Sequence, residues 1–222
     1  MAELQGVHAD SIDIVDLNNG APVIDVGPAH SFDGREVLDP AAAVFKGEVL
    51  LYYSAIGDGP DSVGLARSRD GINFEKVGKV LNGRAPDVAV RDDGIYMIHQ
   101  LLNAAGRYEF HLAWSADGIH FEQRGDGPVF TPAGGRGWDS HDVTTGRLYA
   151  EEDHYLLLYG GSSALVDQPD GFGLARSTDL IHWERHPGNP IFGCGPKGAE
   201  DGGAIWFPAL LETGDHFVLL YE

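Results

Sequence analysis

Carboxylates recur in this chain at the mouths of short apolar runs. Asp39 opens "VLDPAAAV", and Asp87 sits in "RAPDVAV". Asp139 and Asp142 flank His141 in "GWDSHDVTTGRL", and Glu200 and Asp201 precede "GGAIWFPAL". Asp is a poor strand residue and Pro cannot donate to a ladder, so each stretch taken alone reads as a turn. Recurrence at four places admits a second reading, a cluster. Gathered carboxyl groups can divide acid and base work. One is kept protonated by burial or by a neighbouring negative charge, and another stays ionised. That chemistry requires a fold that brings four strand mouths to one point.

The repeats supply such a fold. "GLARSRDGINFEK" (64–76) returns as "HLAWSADGIHFEQ" (111–123) and as "GLARSTDLIHWER" (173–185). Each copy leads to a short apolar strand, "KVL", "GPVF" or "NPIF". Each follows an apolar run, "GEVLLYYSA", "GIYMIHQLL" or "DHYLLLYGG", and a fourth run, "DHFVLLYE", lies at 215–222. A unit therefore reads as four strands. First comes a small-residue strand carrying the acid, then a continuous apolar strand buried on both faces. The "GLARS" strand follows, and a Ser-x-Asp-Gly turn leads to a last strand bearing Phe74, Phe121 or Trp183. A period of roughly 45 to 60 residues with almost no helical periodicity fits propeller blades. The fold class expected is all-β, a β-propeller of four-stranded antiparallel blades.

Blades are expected at about 39–81, 85–130 and 138–192, with only two strands of a fourth at 203–221. The segment 6–26, "GVHADSIDIVDLNNGAPVIDV", weakly echoes the missing strands, and its "APVI" matches "NPIF". The chain reads as one domain, either a four-bladed ring closed by both termini or part of a five-bladed one. An incomplete blade leaves a strand edge through which copies of the chain could pair as a homo-oligomer.

Trp138, Trp206 and Phe207 adjoin the acids and could stack on a sugar ring, or pack between blades. His141 could hydrogen-bond a ligand, orient Asp142 or serve a cation. His120 and His182 share a position on the last strand of their units, His154 and His216 share the turn entering the apolar strand, and all four read as surface residues. No HExxH or CxxC motif is present, so no catalytic metal is expected and no cofactor is required, although oxygen-rich strand mouths leave room for a structural calcium or sodium ion. "GCGPKG" (193–198) satisfies GxGxxG by letter but follows a strand and leads to no helix, which excludes a dinucleotide loop. No GxSxG elbow is present.

The formal net charge is -19, from 34 acidic against 15 basic residues. Such a surface repels phosphate backbones and anionic lipid, so neither nucleic acid nor membrane is an expected partner, whereas a neutral small carbohydrate is compatible. Cys194 is the single cysteine, so no internal disulfide forms. The first residues carry neither a basic n-region nor an apolar h-region, and a cytoplasmic location is the expectation.

"LDPAAAVFKGEVLLYYSA", "APDVAVRDDGIYMIHQ" and the "GLARSxDGxxFE" hairpins together resemble the glycoside hydrolase family 43 and family 32 furanosidase superfamily. The resemblance implies five-bladed propellers acting on arabinosides, xylosides or fructosides. It implies that Asp39 is the base or nucleophile, and that Asp87 tunes the acid and orients the sugar. It also implies a blade-three Glu as general acid, and here the sequence departs. Blade three offers Asp142, with Asp139 nearby, and Glu200 lies one blade later. A glycosidase is thus the expected activity, with Asp39, Asp87, Glu200 and Asp142 as catalytic candidates and Trp138, Asp139, His141, Trp206 and Phe207 as substrate-binding candidates. A carbohydrate-binding or scaffolding propeller without chemistry is the alternative.

Overall fold

The computed structural model describes residues 18–213 and 216–222. Its regular structure is all strand among the described residues. Blade one is β1 (Glu36–Phe45), β2 (Glu48–Ile56), β3 (Ser62–Ser68) and β4 (Glu75–Asn82), hydrogen-bonded in that order. Blade two is β5 (Arg84–Arg91), β6 (Gly94–Leu102), β7 (Tyr108–Ser115) and β8 (Glu122–Arg124). Blade three is β9 (Asp142–Ala150), β10 (Tyr155–Ser162), β11 (Gly171–Ser177) and β12 (Glu184–Arg185), with β13 (Phe192–Gly193) also pairing β11. β14 (Ala209–Thr213) and β15 (His216–Leu220) pair as the start of a fourth. All pairings are antiparallel, and the architecture is that of a partial β-propeller.

The second strand of each blade is the continuous apolar run, and burial on both faces explains its composition. Leu50, Tyr52, Val63 and Leu65 of blade one pack on Ile95 and Met97 of blade two. Ile98, Phe110 and Leu112 of blade two pack on Val143, Leu157 and Tyr159 of blade three. Leu158 and Phe172 meet Ile205, Leu210 and Leu219 of the fourth unit. Each fully buried Leu or Ile contributes roughly 1.5–3 kcal/mol, so the blades are held face to face chiefly by these side chains.

The first strand of every unit carries the same β-bulge. Leu38 pairs Ser54 and Ala41 pairs Tyr52, which leaves Asp39 and Pro40 unpaired. Ala85 and Pro86 are left out in blade two, and Thr145 and Gly146 in blade three. In the fourth unit Trp206 bonds Glu222 and Ala209 pairs Leu220, leaving out Phe207 and Pro208. The first bulged residue is left-handed each time, with φ 52 at Asp39, 44 at Ala85, 47 at Thr145 and 50 at Phe207. A bulge aims its side chain away from the pleat, and a non-glycine residue at positive φ is uncommon. Four such bulges place re-aimed residues at the same end of successive first strands.

A second repeat locks the blades. Asp33 accepts from Tyr53 at 3.4 Å and from Lys76 at 2.7 Å. Asp139 accepts from Tyr159 at 2.9 Å and from Arg185 at 2.8 Å, and Asp201 accepts from Tyr221 at 3.1 Å. The tyrosine lies 20 residues after the acid each time, which identifies one structural position. The tail of the preceding blade packs on the same tyrosine, as Phe130 does on Tyr159 at 4.7 Å between ring centroids and Phe192 on Tyr221 at 5.0 Å. Ile24 takes this place beside Tyr53. Of the segment 6–26, residues 6–17 lie outside the described residues, and 18–26 form no strand.

The Ser-x-Asp turns are wider than two-residue hairpins. The Ser68 hydroxyl accepts from Gly71 N–H, and the Asp70 carboxylate accepts from the N–H groups of Ile72 and Asn73 at 2.9 and 2.8 Å. Ser115 with Asp117, and Ser177 with Asp179, repeat the arrangement. His120 and His182 bond those aspartates on the surface.

Candidate functional site

Asp39 is the first bulged residue of β1, and only 5% of it is exposed. The Ser54 hydroxyl donates to its Oδ2 at 2.6 Å and itself accepts from the Ala85 N–H at 2.7 Å, so blade two fixes the serine that fixes the acid. Burial pushes the Asp39 carboxyl above its ordinary range. The Ser54 hydrogen bond and the Arg84 guanidinium oppose that rise, and the negative charge of Asp167 adds to it.

Arg84 precedes the bulge of β5 and stands between two carboxylates. Its Nη2 lies 3.9 Å from Asp39 Oδ2 and 3.8 Å from Asp167 Oδ2, and its Nη1 donates to the Tyr108 hydroxyl at 3.1 Å. Asp167 comes from the β10–β11 connection of blade three. Its Oδ1 accepts from Thr144 Oγ1 at 2.9 Å, and Thr144 Oγ1 accepts from Gln100 Nε2 at 2.8 Å. Its backbone N–H donates to Asp142 Oδ2 at 2.8 Å, and its carbonyl accepts from Trp206 Nε1 at 2.9 Å. Blades two, three and four thus all hold this one loop residue.

Asp87 is the first residue after its bulge, at the position of Ala41 in blade one and Arg147 in blade three. It pairs across blades with Arg147 at 3.7 Å and accepts from the Leu148 N–H at 2.6 Å. Burial raises its carboxyl to about 6, against the pull of Arg147 and of the Leu148 and Val88 N–H groups. Arg147 stands over the Phe207 ring at 5.7 Å, and its charge also acts on Asp39.

The structure therefore brings Asp39, Asp87, Trp206 and Phe207 to one region, with Asp142 beside it as a backbone clamp, and places Trp138, Asp139 and Glu200 elsewhere. Both oxygens of fully buried Asp142 accept backbone N–H groups, those of Tyr108 and Asp167, which makes it a clamp on two chain segments. His141 is half-buried next to it, with its backbone N–H bonded to the Ser162 carbonyl. Asp139 belongs to the Tyr159–Arg185 lock. Trp138 stacks on Tyr159 at 5.5 Å and lies over Gly161 and Gly173, where an added Cβ would stand 2.4 and 2.6 Å from its ring. Glu200 is exposed on the turn before β14, at the position of Phe32 and Trp138, one residue ahead of the locking aspartate. The four expected acids are thus not equivalent. The residues equivalent to Asp39 are Ala85, Thr145 and Phe207, because Pro40, Pro86, Gly146 and Pro208 mark the second bulge position.

Arg84, Arg147 and Asp167 escaped the sequence reading. Counting back from the Pro or Gly of each bulge would have reached Arg84 and counting forward Arg147, whereas no local pattern marks Asp167. Among the described residues no group of three or more His, Cys, Asp or Glu is arranged to hold a metal ion. No helix among them is long and apolar enough to cross a membrane. Carboxylates of two kinds, one buried on a bulge and one on a loop, share the Arg84 guanidinium, which stands over the Tyr108 ring at 5.5 Å. Such a set can grip hydroxyl groups and move protons.

No family model matches the chain, and no curated protein does. Solved structures do. The Bombyx mori GH32 β-fructofuranosidase is 22% identical with a TM-score of 0.65, over 83% of this chain and 41% of that one. A glycosyl hydrolase from Bacteroides ovatus is 21% identical with a TM-score of 0.65, over 86% and 61%. A further glycoside hydrolase is 16% identical with a TM-score of 0.68, over 88% and 68%. The chain spans about two fifths of the length of the Bombyx mori enzyme. It shares the β-propeller fold with these proteins.

Proposed function

We propose that this chain binds and cleaves a small glycoside or oligosaccharide of arabinoside, xyloside or fructoside type at the strand bulges. The observation that carries the reading is Asp39. It is a buried carboxylate at φ 52, held by Ser54 and faced by Arg84. Backbone strain and charge burial both cost stability, and their coincidence on one residue is expected of a functional site. Asp39 acts as base or nucleophile toward the anomeric carbon. Asp87 with Arg147 positions the sugar and sets the local charge, and Trp206 and Phe207 supply aromatic faces.

A specific observation favours the other reading, a sugar-binding propeller without turnover. The bulge of blade three carries Thr145 and Gly146, with Thr144 just before it, so the strand offers no acid there. Calorimetric titration of arabino-, xylo- and fructo-oligosaccharides into the Asp39→Asn variant tests whether this region is the sugar site. Binding that is lost in Arg84→Met supports the site. Binding that survives Arg84→Met puts it elsewhere.

A further inference from the structure

We infer that Asp167, a loop residue of blade three, is the proton donor that works opposite Asp39. The inference rests on the glycosidase reading above. The two carboxylates share one guanidinium nitrogen, Arg84 Nη2, at 3.9 and 3.8 Å. Two oxygens so close to one nitrogen are no more than about 8 Å apart, below the roughly 9.5 Å upper limit over which glycosidase carboxyl pairs operate. The other acids near Asp39 are less available. Asp142 spends both oxygens on backbone N–H groups. Asp87, like Asp167, has one oxygen on a hydrogen bond and the other near a guanidinium, but its side chain is 17% exposed against 36% for Asp167. Asp167 is fixed from four sides, by Thr144 on its carboxylate, Arg84 beside it, Asp142 on its N–H and Trp206 on its carbonyl, yet its side chain is 36% exposed. Fixed position with an open carboxyl oxygen is what a donor to a leaving group needs. Its φ of 55 is a further departure at an ordered, many-sided contact.

The glycosidic C–O bond breaks and the leaving oxygen takes the proton of the Asp167 carboxyl. The anomeric carbon gains the oxygen of a water, directly or after a covalent ester with Asp39, and the water proton returns to the carboxylate pair. The loop gives the acid that blade three lacks at its bulge. It also explains why the Thr144 hydroxyl, in the position of Arg84 and Trp206 on the neighbouring blades, points its proton at Asp167.

The test compares wild type, Asp39→Asn, Asp167→Asn and Asp167→Glu on two classes of furanoside, 2,4-dinitrophenyl glycosides and unactivated oligosaccharides. A dinitrophenolate leaves without a proton. Loss of the donor is therefore expected to lower kcat about 100-fold or more on oligosaccharides and less than about 10-fold on the dinitrophenyl substrate, within the usual worth of acid catalysis. Asp167→Glu is expected to restore part of the oligosaccharide rate, and Asp39→Asn to lose both. An equal loss on both substrates, or none on either, in an Asp167→Asn protein that melts like wild type overturns the assignment while the glycosidase reading stands. A wild-type protein inactive on both classes overturns the two together.

Discussion

Asp142 Oδ2 accepts the backbone N–H of Asp167 at 2.8 Å, while its Oδ1 accepts that of Tyr108. One buried carboxylate therefore ties the start of β7 to the loop that delivers Asp167. An amide in its place has one acceptor oxygen for two donors. Asp142→Asn is expected to cost about 1–3 kcal/mol, the usual penalty for one orphaned buried group. Urea unfolding measures it, and a change below about 0.5 kcal/mol would show that the clamp is not needed.

Trp138 is a packing residue. Its ring lies against Tyr159 and over the bare backbones of Gly161 and Gly173. Trp138→Ala is expected to destabilise the fold by about 3–5 kcal/mol, as truncation of a large core aromatic does, and to leave oligosaccharide affinity of the folded fraction unchanged. Thermal melts and calorimetry on the same preparation separate the two effects. A variant that melts like wild type but binds poorly would return Trp138 to the sugar site.

Blade two departs from the tyrosine lock. His99 stands where Tyr53 and Tyr159 stand, opposite His111 instead of a glycine. Burial, with His111 beside it, pushes the His99 imidazole down to about 4 from 6.5. The unfolded chain then binds the proton more readily, so stability falls as pH drops from about 6.5 to about 4. His99→Phe is expected to flatten that part of the acid limb in urea titrations at a series of pH values. An unchanged slope would mean that the imidazole titrates normally.

Asp87 acts with the opposite sign. Its folded-state carboxyl lies at about 6 against an ordinary 3.8. The folded chain holds the proton more tightly, so this contribution is complete below about pH 4 and lost as pH rises through about 6. Wild type is therefore expected to lose stability relative to Asp87→Asn across that interval. A difference that is constant with pH would show that Arg147 keeps Asp87 ionised throughout.

The blades were legible because both their periods are local. A continuous apolar strand followed by "GLARS" and a Ser-x-Asp turn can be read at three places without knowing what touches what. Asp39 was legible for the same reason, as an acid ahead of a proline. The equivalence of the acids was not. "RAPDVAV" puts an aspartate after the proline, and only the ladder register shows that the bulge leaves out Ala85 and Pro86, with Asp87 beyond it. The locking aspartates Asp139 and Asp201 looked like site residues because they also precede first strands, and their tyrosines lie 20 positions away. Asp167 owes its place to contacts with Thr144, Asp142 and Trp206 that lie 23, 25 and 39 residues distant, which no short pattern records.

Product release from a panel of arabinofuranosides, xylosides and fructosides, by wild type and by Asp39→Asn, tests the central claim most directly. The asparagine keeps an oxygen for the Ser54 hydroxyl, so the variant is expected to fold. Wild type is expected to turn over at least one panel member, and Asp39→Asn to lose about 1,000-fold or more of that rate with an unchanged melting temperature, in the range seen when a nucleophile is removed. Wild type that releases no product, or a folded Asp39→Asn that keeps the wild-type rate, would contradict the claim.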